Sequence, residues 1–479
     1  HAGRRRARGL KGPPAFERAP LPAFPGYLRA LGPGVVWLAL AQGSGELIWW
    51  PYVVARYGLA FLFLLLPACL LQWPVNYAIG RYTVLTGESV LRGFLRMHRG
   101  LGLLLWILLA ISFLWVGAFA AAGGTALAAL VDWPAGWSEK GRTDLWALLT
   151  MALLLGSFLL SRRFYRFIEW FMWAVAGVTL AGLFLACAHP TVLAALPAFL
   201  HGLLIPEWPP PRPWDPGDAT RLLTAFTFAG LGGFWTLFYS YWVRAKGAGM
   251  AGLLHADTPA ADLAGSAAQD AARLPERSGG DLPRWKRYLV ADSGIGVVGN
   301  LITTLMTCLL AYATLFPKGL FPAGYHLAVV QSEFFAVRFG GLGRLLFLIV
   351  AAAFLCDTWI GTMDTVARVH ADVGRMLFAR CARMPARRLY YLCLAAGSAL
   401  TVVTLPMAEP GALILLTAVI GFIGTVLYTW ALLALNYRFL PRVAPDLGRG
   451  RAASRALLLV SCLAYTLLAV LYLAALTRS

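Results

Sequence analysis

The sequence predicts an all-α integral membrane protein of about 11 transmembrane helices, arranged as a 5+5 inverted repeat with helices 1 and 6 broken, plus one extra helix. Three observations carry this. The 479 residues are 59% hydrophobic and only 13% charged, too apolar for a soluble chain of this length. Apolar runs of about 20 residues, enough to cross roughly 30 Å of hydrocarbon, recur along the chain. Two of them, five spans apart, are interrupted by glycines near their middles.

The runs fall at 33–57, 58–80, 101–131, 144–161, 167–188, 221–243, 289–315, 341–366, 388–408, 411–437 and 454–476. They divide the chain into a basic tail 1–30, a first five-helix repeat 31–188, a connection 189–220, a second repeat 221–437 and a closing segment 438–479 with helix 11. The segments 1–30, 81–100, 162–166, 244–288, 367–388 and 438–455 hold 32 of the 41 Lys and Arg, leaving 9 elsewhere. By the positive-inside rule this puts the amino terminus in the cytoplasm and the carboxyl terminus outside. The net charge of +19 therefore belongs to loops on a membrane surface rather than to a nucleic-acid interface. Residues 1–30 show no signal-peptide pattern, so the first span is expected to direct insertion. The 36 Arg against 5 Lys fit a GC-rich bacterial genome, hence a bacterial inner membrane.

The stretch 247–283, rich in Ala, Gly, Asp and Ser, reads as a flexible cytoplasmic loop. "PEWPPPRPW" within 189–220 marks a rigid Pro-rich turn. The seven cysteines are scattered at no metal or redox spacing. Without a Walker-type loop or a catalytic constellation, no enzyme and no bound cofactor are expected. Expected partners are membrane lipid and a small ion or small molecule.

The first break lies in "ALAQGSGELIWW", at Gly43, Ser44, Gly45 and Glu46; the second lies at Gly230, Gly232 and Gly233. An unwound helix frees carbonyl and N–H groups, which hydrocarbon tolerates only where they line a cavity or grip a solute. Paired glycine-interrupted spans in two halves point to the central site of a secondary transporter. Glu46 starts the second half-helix, where the dipole favours a carboxylate that can also ligate a cation. The predicted binding groups are Glu46, Gln42, Gly43, Ser44 and Gly230, with Thr227, Trp235 and Thr236 behind them, and Glu46 as the one metal ligand.

Other polar residues lie in apolar runs. Asp357 and Asp364, seven apart in span 8, share a helix face and are candidates for coupling through a proton or Na⁺; Asp364 can instead pair with Arg368. Asp292 reads as interfacial, with Asn300 on the same face of span 7. Glu169 reads as a salt-bridge partner of Arg162, Arg163 or Arg166. Asn76 reads as an interhelical hydrogen bond. Trp133, Trp137 and Tyr390 read as aromatic belts. His255 and His370 have no partner at metal spacing.

"LGPGVVWLALAQGSGELIWWPYVVARYGL" resembles the first helix of the Nramp metal-ion transporters, through a Gly-Pro-Gly start, a polar break and a Tyr-Gly exit. "RYTVLTGESV", "SRRFYRFIEWFMWAV" and "FLCDTWIGTMDTVARV" are similar to later segments of that family. The likeness spans helices 1 to 10 and implies a leucine-transporter-like fold and a transported metal cation. The family's metal-binding motifs are altered: its Asp-Pro-Gly-Asn reads Gly43, Ser44, Gly45, Glu46, and its Met-Pro-His falls on Gly232, Gly233 and Phe234. Its acidic residue of the third helix is absent from 113–131, where "AFAAAGGTALAAL" stands. Without a thioether, the remaining oxygen donors suit a hard cation. They suit equally a small organic solute, with an amine at Glu46 and aromatic walls from Trp49, Trp235 and Phe234. A non-transporting sensor, with 247–283 as its output, is the third reading.

Overall fold

Helical segments occupy every predicted run in a computed structural model that describes residues 16–43, 45–160, 162–255, 273–276, 281–447 and 452–477, without the side chains of 45–46, 158–173 and 254–255. Among the described residues, seven helices are long and apolar enough to cross a membrane, or eight if one bent pair counts as a span. The two broken helices escape that count because each half is short. The chain is a multi-pass membrane protein.

Span 1 comprises 1a (Pro33–Ala41), a π-helical turn (Gly45–Trp49) and 1b (Trp50–Tyr57). Prolines preset the first turns of both halves, at Pro33 and Pro51. Span 6 comprises 6a (Ala219–Thr227), a 3-10 segment (Gly233–Phe238) and 6b (Tyr239–Ala245). Its break is fixed by backbone sign: Gly230, Gly232 and Gly233 have φ of +127°, +59° and +49°. A Cβ on Gly232 would lie 1.7 Å from the Thr227 carbonyl oxygen, so only glycine lets the chain turn here.

Around these two run span 2 (Leu62–Thr86), span 3 (Arg99–Val131), span 4 (Glu139–Leu160), span 5 (Arg162–Cys187), span 7 (Leu282–Lys318), span 8 (Glu333–Leu377), span 9 (Ala386–Thr404), span 10 (Pro410–Val443) and span 11 (Ala452–Leu476). Span 8 kinks at Gly340, whose φ of +56° breaks the helix near its start. Spans 3, 4, 8 and 9 pack on one another as a scaffold; span 1a packs on span 7, span 6a on span 10 and span 6b on span 2. The "AAAGGTALAAL" stretch of span 3 is a packing seam. A Cβ on Gly123 would meet Cys356 Sγ at 2.6 Å, and one on Gly124 the Thr143 carbonyl oxygen at 2.6 Å, so the small residues let spans 8 and 4 approach. Only 22% of the apolar window of span 11 is buried, which leaves its outer side for lipid.

Both long connections hold more structure than their composition predicts. The 189–220 connection begins with a helix, Pro190–Leu204, bent 82° from the end of span 5. From the 247–283 loop, strand β2 (Arg273–Pro275) pairs in parallel with β1 (Glu17–Ala19) of the basic tail. The Asp281 carboxylate accepts the Phe24 N–H at 2.7 Å, and Trp285 donates to the Pro22 carbonyl at 3.0 Å. The tail is thus strapped to the start of span 7. The rest of that loop, 256–272 and 277–280, lies outside the described residues.

Candidate functional site: two helix breaks and their closures

At the span 1 break the helix presses directly on span 8. A Cβ on Gly43 would lie 1.9 Å from Thr358 Oγ1. Gln42 Nε2 donates to Thr303 Oγ1 of span 7 at 2.6 Å. On the far side of the break, the buried Gln331 amide donates to the freed Leu47 carbonyl, so an external loop satisfies a group the helix cannot. Gly43 and Gln42 therefore sit where spans 1, 7 and 8 meet. Ser44 lies outside the described residues, and Glu46 lies in the π-turn with its side chain outside the description.

At the span 6 break, Gln72 of span 2 donates from Nε2 to the Ala229 carbonyl at 2.8 Å. Gly230 faces the same amide: its Cβ would stand 2.5 Å from Gln72 Oε1 and 2.7 Å from Trp37. Thr227 and Thr236 line a small cavity together with Gln72, Thr425 and Tyr428. Trp235 points elsewhere, donating to Thr362 Oγ1 at 2.9 Å inside a cage of Phe113, Phe119 and Phe228. The structure thus gathers Gly230, Thr227 and Thr236 at one break and Gln42 and Gly43 at the other, and places Trp235 in the span 3 and span 8 packing.

Two carboxylates close the ends. On the face carrying the amino terminus, Asp292 accepts from the N–H groups of Gly32 (3.0 Å) and Gly34 (2.7 Å) and from the Tyr239 hydroxyl (2.8 Å). It is fully buried, which corrects the interfacial reading. The Gly-Pro-Gly start leaves helix N–H groups without intrahelical acceptors, and Asp292 caps them from span 7. On the opposite face, buried Asp218 at the start of span 6a accepts from Tyr52 (2.9 Å) and Tyr57 (2.6 Å). It also pairs with Arg56 at 2.7 Å and with Arg221. Asp292 ties 1a to 6b, and Asp218 ties 1b to 6a.

A second buried cluster on the amino-terminal face joins spans 6 and 8 to the short helix Val90–Met97. Asp372 pairs with Arg92 at 2.7 Å and Arg244 at 3.6 Å, and accepts from Ser89 and Tyr241. Asp364 is held by Arg368 (2.9 Å) and by the Tyr390 hydroxyl (2.6 Å), so Tyr390 serves that pair rather than an aromatic belt. Asp357 is half-buried and has no hydrogen-bond or ion-pair partner among the described residues. Asn76 makes no described interhelical bond, and its Oδ1 is buried without a partner. Glu169 and its expected arginines have side chains outside the description. Trp133 and Trp137 are half exposed, as belts require. His370 accepts from Trp106 at 2.9 Å. Among the described residues, no group of three or more His, Cys, Asp or Glu converges.

Sequence reasoning did not single out Gln72, Thr303, Thr358, Asp218 or Tyr428. Gln72 carried a signal, an amide in an otherwise apolar run. The others lie on spans whose register against the breaks only the fold supplies.

No protein-family model matches the chain, and no curated protein does. Solved structures do. A manganese transporter of Eremococcus coleocola, in complex with an aromatic bis-isothiourea compound, superposes with a TM-score of 0.63 at 15% identity, over 94% of this chain and 88% of that one. MhsT in complex with L-phenylalanine gives 0.54 at 13% identity, over 92% and 98%. Mhp1, of the nucleobase-cation-symport-1 family, gives 0.50 at 12%, over 98% and 95%. The chain has the leucine-transporter-like fold that these proteins share. It is similar to each of them in architecture alone.

Proposed function

We propose that the chain is a secondary transporter, a divergent relative of the Nramp family, that moves a small cation by alternating access in a bacterial inner membrane. The observation that carries this reading is the crosswise closure. Asp292 binds 1a to 6b at one face, Asp218 binds 1b to 6a at the other, and the two breaks lie between. Opening one closure at a time would expose the breaks to one side at a time. With the amino terminus cytoplasmic, Asp292 is the inner closure and Asp218 the outer one.

Hard donors support a hard cation as cargo. Among the described residues, the groups at the span 1 break are an amide, hydroxyls and a freed carbonyl, with no thioether or imidazole, and the sequence adds the Glu46 carboxylate. The likeness of span 1 to the Nramp helix and the shared fold with a manganese transporter support a divalent ion. The neutral surroundings of Gln42, Thr303 and Thr358 also favour a second reading, a small organic solute with its amine at Glu46. Uptake into proteoliposomes holding a divalent-sensitive dye decides. Saturable influx of Mn²⁺, Mg²⁺ or Ca²⁺ that Glu46→Gln abolishes supports the cation. No influx of any of them removes it and leaves the organic solute.

A further inference from the structure

The cavity at the span 6 break is lined from spans 2, 6, 10 and 11, with no residue of span 1. Its volume of about 10 Å³ holds one water-sized sphere, too little for any organic solute. Its polar lining has an unusual sign. Gln72 is buried, its amide N–H is spent on the Ala229 carbonyl, and its Oε1 has no partner. Thr227 donates its proton to the Leu223 carbonyl at 2.7 Å, Thr425 to the Gly421 carbonyl at 3.1 Å, and Tyr428 to the Gly233 carbonyl at 2.8 Å. The Tyr428 oxygen in turn accepts from Thr425 at 3.4 Å and from Thr236, so its own lone pairs are engaged. What Gln72, Thr227, Thr236 and Thr425 retain is lone pairs. Of the lining hydroxyls, only that of Tyr465 has no described hydrogen bond.

We propose that this cavity is a binding site for one dehydrated monovalent cation of the Na⁺ class, held by Gln72 Oε1 and the oxygens of Thr227, Thr236 and Thr425. A buried water makes about three hydrogen bonds and needs donors as well as acceptors; this lining offers acceptors almost alone, which is what a cation requires. The carboxyl end of span 6a, at Thr227, adds the negative end of a helix dipole. No carboxylate lines the cavity, so a divalent charge would be under-compensated there. Gly230 is part of the design: any side chain would occupy the space beside Gln72 Oε1. The site lies beside the transport path and does not rest on the cargo assigned above. It ties the span 6 break to spans 2, 10 and 11, so occupancy would fix one geometry of the hinge.

The test uses the purified full chain in lipid nanodiscs, with ²²Na⁺ binding and thermal melting in NaCl against choline chloride at equal ionic strength. Saturable binding, displaced by Na⁺ but not by choline or Mg²⁺, and a higher Tm in Na⁺ are expected. Thr425→Val and Thr227→Val keep shape and remove one oxygen each, and should each weaken binding by about tenfold. A folded wild type with no saturable ²²Na⁺ and equal melting in both salts overturns the proposal and assigns the cavity to water. Na⁺ binding unaltered in both valine variants and in Gln72→Leu overturns it equally, by placing the ion elsewhere. Neither readout involves cargo uptake, so failure of the transport reading is seen separately.

Discussion

The two closures hold the same pair of broken helices by different physics. Asp292 is buried in a span, and its described partners are two backbone N–H groups and a tyrosine hydroxyl. Asp218 is equally buried, yet its cations reach water: the side chains of Arg56 and Arg221 are 24% and 35% exposed. Their guanidinium groups also lie over aromatic rings, Arg56 5.2 Å from Phe321 and Arg221 5.2 Å from Tyr52. The first closure is a buried helix cap with the exposed Lys246 amine beside Gly32 at its edge; the second is a half-wet ion cluster. A buried helix cap is less sensitive to salt than a partly solvated ion cluster.

The largest effect should follow from removing the dry cap. Each hydrogen bond to a charged group is worth about 1.5–3 kcal/mol, and three acceptor contacts vanish in Asp292→Ala. A loss on the order of 4 kcal/mol is expected, read as a collapse of Tm, with Asp292→Asn losing about half as much. If Asp292→Ala melts with the wild type, Asp292 is not the closure described above.

Gly43→Ala strikes the point between the closures. Its Cβ would overlap Thr358 Oγ1, and overpacking of this kind costs about 1–3 kcal/mol. Uptake should be lost with it. The double variant Gly43→Ala/Thr358→Ala should recover most of the stability, because the clashing oxygen is gone. Equal melting of the single and double variants would show that span 1 does not press on span 8 there.

Asp218→Asn comes next. Breaking a buried pair costs more than this where both ions are dry, but solvent screens Arg56 and Arg221, so about 1–2 kcal/mol is expected. The distinguishing measurement is salt. The deficit of Asp218→Asn should shrink between about 0.05 and about 0.5 M salt, while that of Asp292→Asn changes less. Cysteines placed on the two faces should gain reactivity on opposite sides in the two variants.

The outline of this fold was legible because its signals are local. Apolar length placed a helix at each predicted run, although spans 7 and 8 begin seven and eight residues earlier than predicted and span 8 ends eleven later, and the glycines of span 6 and the Gly-Ser-Gly of span 1 marked the breaks, since φ above zero and helix interruption are written in residue type. What residue type cannot show is register between distant spans. Asp292 reads as interfacial by its place near the start of span 7, yet span 7 begins beyond the predicted run, at Leu282, and so draws Asp292 inward to meet the bare N–H groups of span 1a. Asp218 lies outside any apolar run and was invisible until Tyr52, Arg56 and Tyr57 were brought over it. Trp235 looked like a wall of the binding site, but one residue of a 3-10 segment turns it away from Thr236. The short strands failed to register for the opposite reason: three residues of tail and loop have no period to read.

The smallest effect on stability should come from Asp357, and it tests whether helix 8 does more than brace the breaks. Asp364, two turns away, is satisfied by Arg368 and Tyr390, so its charge holds structure. Asp357 has no such partner among the described residues, and a neutral amide of the same shape leaves nothing stranded. Asp357→Asn should therefore melt within about 0.5 kcal/mol of the wild type, whereas Asp364→Asn should be measurably weaker. If Asp357 carries a coupling proton or Na⁺, its variant should keep cargo exchange but lose the stimulation of uptake by an imposed pH or Na⁺ gradient. Full stimulation in Asp357→Asn would end its coupling role, and a large fall in Tm would mean that its carboxylate holds structure instead.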